Sequence, residues 1–166
     1  MSTLPPVRKS VVVPASLDEA FDVFTAGIDS WWPRGRSHTL LESTLESVVI
    51  EPFVGGRWYH RGVDGSECDN GRVLVWQPPA RLVLGWQLDG RWQYVPDVVS
   101  EVEVRFARLD DDRVEVTLEH REFHRFGETA AALRAGVDGP TGWPMLLARY
   151  EEAVARGRRP AARAPG

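Results

Sequence analysis

The chain has one cysteine, Cys68, one lysine, Lys9, and two methionines among 166 residues. A lone cysteine excludes an internal disulfide framework and any cysteine-rich zinc site. The scarcity of lysine against 20 basic residues in all reads as a coding bias and carries no functional inference. No apolar run approaches the roughly 20 residues needed to cross a bilayer, and MSTLPPVRKS lacks the apolar core of a signal peptide. The expected location is cytoplasmic, with no membrane insertion. Short catalytic signatures are missing too. There is no GxSxG, no HExxH, no GxxxxGK[ST] and no GxGxxG.

What is present is a soluble, globular composition, 43% apolar and 27% charged. The length suits about one domain, and folding at this size buries roughly 70% of the unfolded surface, so no disulfide or metal is needed for stability. The net charge of −4 is unevenly spread. Residues 156–166 hold four arginines and no acid, which leaves 16 basic against 24 acidic residues and −8 on the body. That body is a poor fit for a phosphate backbone, so no nucleic-acid partner is expected. The expected division is a domain over 1–156 and a disordered basic tail over 157–166.

An extended run covers Val7 to Val13 and ends at Pro14. Ser16 with Glu19 three residues on reads as a capping box. Behind it, Leu17, Ala20, Phe21, Phe24 and Ile28 fall at helical spacing. Trp31-Trp32-Pro33 follows as a turn or second short helix. From about 44 to 122 the period changes to two. Candidate strands are 44–51, 56–62, 71–77, 81–88, 98–107 and 113–121, separated by turn-rich stretches such as Asp64-Gly65 and Pro78-Pro79. Val102, Val104 and Phe106 share one face; Val114, Val116, Leu118 and His120 share another. The sheet is therefore antiparallel, wet on one side and covered on the other.

The cover is a helix near 141–156, with Thr141 as cap, Gly157 as stop, and Trp143, Leu146, Leu147, Tyr150 and Val154 as its apolar stripe. The fold class is α+β: a curved antiparallel sheet of six or seven strands around a long C-terminal helix, with two short helices after the first strand. A sheet that twists away from a straight helix leaves a space, which fills with large side chains or stays open.

Several stretches, taken in order, resemble one family. They are AFDVFTAGIDSWW (20–32), FVGGRWY (53–59), GRVLVWQPPARLVLGW (71–86), TLEHREF (117–123), and Gly142-Trp143 followed by Leu146 and Leu147. The pattern is similar to the activator of heat-shock-protein-90 ATPase homologue family, a branch of the START-like (SRPBCC) superfamily, over about residues 7 to 155. The resemblance implies a helix-grip fold with a deep internal cavity. Relatives include lipid carriers, plant ligand binders, polyketide cyclases and a co-chaperone domain, so it implies little about chemistry.

The candidate cavity residues are Trp32, Trp58, His60, Trp86, Val104, Phe106, Leu118, His120, Trp143 and Leu147. His60 and His120 fall on the inward face. They either orient a polar ligand and exchange protons near neutral pH, or are strand-end histidines held by hydrogen bonds. Tyr94 is a further candidate for orienting polar groups. His38 and His124 lie in polar connections and are expected to be exposed. Cys68 sits beside two acids, which raise a thiol pKa, and is a poor nucleophile. Glu67 and Glu122 complete no close-spaced ligand motif with the histidines, so no metal and no cofactor are expected. Seven tryptophans either line a site for a flat apolar ligand or form a plain core. The segment 123–139 reads as a connection with a short helix over Thr129 to Ala135, placed as a lid or as rigid packing.

The function expected is binding of a small, largely apolar molecule, aromatic or lipid-like, between sheet and last helix. The alternatives are a polyketide cyclase or aromatase using pocket histidines, and a co-chaperone-like interaction module, with chaperone binding ranked low.

Overall fold

A computed structural model describes residues 4–35 and 37–158. Seven strands, β1 (Val7–Val13), β2 (Leu45–Ile50), β3 (Arg57–Gly62), β4 (Glu67–Gln77), β5 (Arg81–Trp86), β6 (Ser100–Asp110) and β7 (Arg113–Arg121), form one antiparallel sheet. Their order is β1-β7-β6-β5-β4-β3-β2. After β1 the chain meanders from edge to edge, and only the first strand crosses over, to pair with the last. Among the described residues three helices complete the fold: α1 (Leu17–Phe24), α2 (Ala130–Asp138) and α3 (Trp143–Arg158). Short 3-10 turns lie at Ile28–Ser30 and Phe123–Thr129.

Local chemistry sets these elements as the sequence indicates. At α1, Ser16 Oγ accepts the Glu19 amide at 3.2 Å, and Glu19 Oε1 accepts the Ser16 amide at 3.1 Å. Two backbone donors at the start of the helix are thereby paired. In β6 and β7 the inward residues face each other in register: Val102 with His120, Val104 with Leu118, Phe106 with Val116. The outward residues form a charged lattice in which Arg121 bonds Glu101 at 3.0 Å and Glu103 at 2.6 Å, and Arg81 also reaches Glu103.

The sixteen-residue α3 covers the inward face. Its later turns dock on α1: the Tyr150 hydroxyl donates to the Ala20 carbonyl at 2.7 Å, and the Tyr150 ring meets Phe24 edge-on at 5.2 Å. Phe21 and Phe24 in turn stack on Phe106. At about 1.5–3 kcal/mol per fully buried large side chain, this aromatic block is the main hydrophobic anchor of that end.

Some boundaries differ from expectation. β4 begins at Glu67 rather than Gly71, because the polar stretch Glu67-Cys68-Asp69 pairs with β3 all the same. α2 runs on to Asp138. The Leu146 amide bonds the Gly142 carbonyl at 3.1 Å, so Gly142, not Thr141, caps α3. Gly157 does not stop that helix, which continues to Arg158. The rest of the expected tail lies outside the described residues.

β4 carries two irregularities that decide which way its side chains point. Asp69 pairs with Tyr59 and Gly71 with Trp58, leaving Asn70 as the extra residue of a bulge. Inward parity therefore switches from Cys68 and Asn70 to Gly71 and Val73. A second shift around Leu74 switches it back, so Trp76 packs inward on Phe21 at 5.1 Å. Gly71 is the tight point, since a Cβ there would lie 1.5 Å from the Gly85 carbonyl oxygen. In urea denaturation at pH 7, Gly71→Ala is expected to lose about 3 kcal/mol or more by forcing β4 from β5. Ser16→Ala, which removes one capping bond, is expected to lose about 1 kcal/mol. A smaller loss at Gly71 than at Ser16 would contradict this account.

Candidate functional site

α1 fills one end of the space between α3 and the sheet. The other end, at the start of α3, is hollow. A cavity of about 580 Å³ lies there, walled by Trp143, Met145 and Leu146 of α3, Gly136 and Val137 of α2, Trp32 and residues 37–40, Asn70 of β4, and Trp86, Leu88 and Trp92. The volume is within the usual range of small-molecule sites. The wall is mostly apolar, with polar groups at Ser37, His38, Thr39, Asn70 and Thr141.

Four indoles give it an aromatic surface. Trp86 meets Trp143 at 5.9 Å and Trp92 at 6.4 Å, and Trp58 sits behind, edge-on to both Trp32 and Trp86 at 6.0 and 5.8 Å. Trp92 stands at the mouth, 45% exposed. It occupies a left-handed backbone conformation, φ 60°, that a large side chain rarely adopts. Asp89 holds that turn by accepting the Arg91 and Gln93 amides at 2.8 and 3.0 Å. The Trp92 ring needs the bare backbone of Gly136, where a Cβ would come within 2.8 Å of it. The Gly90 amide donates to Thr129 Oγ1 at 3.0 Å and docks the same loop beside α2. The segment 123–139 thus contributes wall through α2.

Of the ten residues expected to face the hollow, Trp32, Trp86 and Trp143 are on its wall. Trp58, His60 and His120 lie one layer behind. Val104, Phe106, Leu118 and Leu147 are buried core, at 4% exposure or less, and are absent from the wall. Strand parity tells inward from outward but not which end α1 plugs. Tyr94 is half-buried, bridged to Leu88, and also off the wall.

The two inward histidines are held in place by hydrogen bonds on both ring nitrogens. Trp143 Nε1–H donates to His120 Nδ1 at 3.1 Å, so His120 Nε2 carries the proton toward Ser100 Oγ at 2.9 Å, whose hydroxyl reaches the Trp86 carbonyl. His60 Nε2 lies 2.9 Å from Asn70 Nδ2, and its Nδ1 lies 2.8 Å from Thr39 Oγ1. Burial disfavours the charged form of both. It lowers His120 to about 3; for His60, burial and then the positive charge of Arg34 lower it to about 4. Neither exchanges protons near neutral pH.

The histidine on the wall is His38. Contrary to expectation it is half-buried, with Nδ1 2.7 Å from Ser37 Oγ and Nε2 2.8 Å from the Thr141 carbonyl. A carbonyl only accepts, so Nε2 carries the proton and Nδ1 takes the Ser37 hydroxyl. His124 is exposed as expected. Cys68 has its thiol pushed up, chiefly by burial, with Asp69 a minor contributor. Glu67 points outward to Arg57 and Arg61, and Glu122 pairs with Arg125. Among the described residues no group of three or more His, Cys, Asp or Glu is placed to hold a metal, and no helix is long and apolar enough to cross a membrane.

Asn70 and Trp92 carried no site signal under a periodicity reading. The available clue to the first was Asn-Gly inside a strand run, which marks a bulge. The clue to the second was a large aromatic directly after a turn.

The locked histidines have a measurable consequence. Each has a folded-state pKa below the unfolded value of about 6.5. The unfolded chain therefore binds more protons between about pH 6.5 and pH 4, and stability falls as pH drops through that window. Urea midpoints measured from pH 7.5 down to pH 5 are expected to start falling near pH 6.5, above the range where carboxylates titrate. A flat profile to pH 5 would contradict neutral, locked rings.

Comparison with known proteins agrees with this architecture. Among solved structures, an anthrahydroquino-γ-pyrone synthase, Txn09, is 43% identical, with 90% of this chain and 97% of that one covered and a TM-score of 0.62. The self-sacrificing resistance protein CalC from Micromonospora echinospora is 31% identical over 92% of this chain and 96% of its own, with a TM-score of 0.65. The Aha1 dimer from Colwellia psychrerythraea, 14% identical over 93% and 99%, has a TM-score of 0.56 and shares the fold. A search among curated proteins finds no match. The family described as Activator of Hsp90 ATPase homolog 1-like protein matches residues 14–155, and the chain, with its helix-grip fold, belongs to that family.

Proposed function

We propose that the chain binds a flat, largely apolar aromatic molecule, of the polycyclic phenol or quinone class, in the cavity at the start of α3. The observation that carries this reading is the 580 Å³ hollow with Trp32, Trp86, Trp92 and Trp143 on its wall. Indole faces and edges stack on flat π-systems, and such contacts add about 0.5–1.5 kcal/mol each beyond area burial. The name of the 43% identical synthase points to the same chemical class. Titration with an anthraquinone is expected to quench tryptophan emission saturably. Leu146→Trp, which fills the space from the wall, is expected to weaken that binding tenfold or more while the far-ultraviolet spectrum stays unchanged. Equal affinity in this variant would place the ligand elsewhere.

A second reading, a cyclase, is favoured by the same relative being a synthase and by His38. In neutral His38 the Nδ1 lone pair faces the Ser37 hydroxyl at the cavity wall, while the Thr141 carbonyl fixes the ring. That is the arrangement of a general base oriented by a third group. His60 and His120 are unsuited to this role, because they lie behind the wall and burial lowers their proton affinity. With a poly-β-ketone substrate of the aromatic polyketide type, His38→Gln is expected to lower turnover about 100-fold and leave affinity nearly unchanged. Unaltered turnover would remove His38 from the chemistry, and no turnover by the unsubstituted protein would leave the binding reading alone.

A further inference from the structure

We infer that the inner wall of the cavity selects a guest that donates a hydrogen bond, a phenolic hydroxyl on a flat aromatic, with Asn70 Oδ1 as the acceptor; this rests on the binding reading above. Asn70 is 2% exposed and on the cavity wall, yet its Oδ1 has no partner. A buried carbonyl oxygen without a donor is uncommon and costly, and one placed at a cavity is satisfied when a ligand brings the donor.

The orientation of the amide follows from its neighbours. Thr39 Oγ1 receives the Leu41 amide at 3.2 Å and so already acts as an acceptor. The remaining Thr39 lone pair takes the proton of His60 Nδ1 at 2.8 Å. His60 Nε2 is then an acceptor and draws in Asn70 Nδ2 at 2.9 Å, which leaves Oδ1 as the free end. Burial keeps His60 neutral, so this polarity holds through the physiological range. The backbone contributes as well. The bulge puts Asn70 on the inward side, and its carbonyl is tied to the Gln87 amide at 2.8 Å. A bulged residue with a whole relay behind it, in a strand where asparagine is disfavoured, is characteristic of a recognition position. An aromatic amine offers the same donor chemistry and is separated from a phenol below.

The test compares four probes by tryptophan quenching: anthraquinone, its β-hydroxy derivative, the methyl ether of that derivative, and the β-amino derivative. The hydroxy compound is expected to bind roughly tenfold or more tightly than both anthraquinone and the ether. Asn70→Leu is expected to abolish the preference, so that the hydroxy compound and anthraquinone, both measured on that variant, bind within about twofold of each other. If the amine binds as tightly as the phenol, the site reads any donor and the restriction to phenols is overturned. Equal binding of hydroxy, ether and parent compounds overturns the inference and leaves aromatic binding intact. Tighter binding of the ether than of the phenol overturns it too, since that order demands a donor from the protein. If none of the four binds, the binding reading falls and takes this one with it. Should Asn70→Leu fail to fold, the order of the four compounds on the unsubstituted protein decides alone.

Discussion

A straight helix cannot stay in contact with a sheet that curls along its whole length. Here α3 is sixteen residues long and the sheet has seven strands, so flush packing at one end means separation at the other. The chain resolves this with a single insertion. α1 enters beside Phe106 and gives Phe21 and Phe24 to the far end, where Tyr150 closes the joint. The near end is left to tryptophans, whose bulk stiffens the wall without filling the volume. Everything assigned to the cavity depends on that asymmetric filling.

The wall is also pre-organised by polar groups that do not touch the guest space directly. His120 fixes the Trp143 indole through its Nε1–H and, through Ser100, is anchored to the backbone at Trp86. One wall indole and the backbone of a second wall residue are thus held by one buried imidazole. His60 does the same for Asn70 through the amide. Both histidines act as braces, and their depressed proton affinity follows from that placement.

Most of the fold was legible from the residues. The capping box of Ser16 and Glu19, the alternation of β6 and β7, and the apolar stripe of α3 are local patterns, and local physics realised them. The site was less legible. A period of two correctly turned Val104, Leu118 and His120 inward, but depth along the strand depends on where α1 docks, a contact no periodicity encodes. β4 shows the limit most clearly. Two added residues, at Asn70 and Leu74, reverse and then restore the parity of the strand, so a uniform alternation misplaces what lies between. His38 was read as exposed because its neighbours are polar; the Thr141 carbonyl at the start of α3 holds it over the cavity.

The indoles of Trp31, Trp32, Trp58, Trp86, Trp92 and Trp143 follow one another with ring centres 5.8–6.4 Å apart. At such spacing excitation passes readily from ring to ring before it is emitted. Trp76, packed on Phe21 at the opposite end, stands outside this series. Light absorbed anywhere in the series is shared, so a guest resting against one member darkens its companions as well. The molecule carries its own optical antenna, and the glow that survives saturation should come mainly from Trp76.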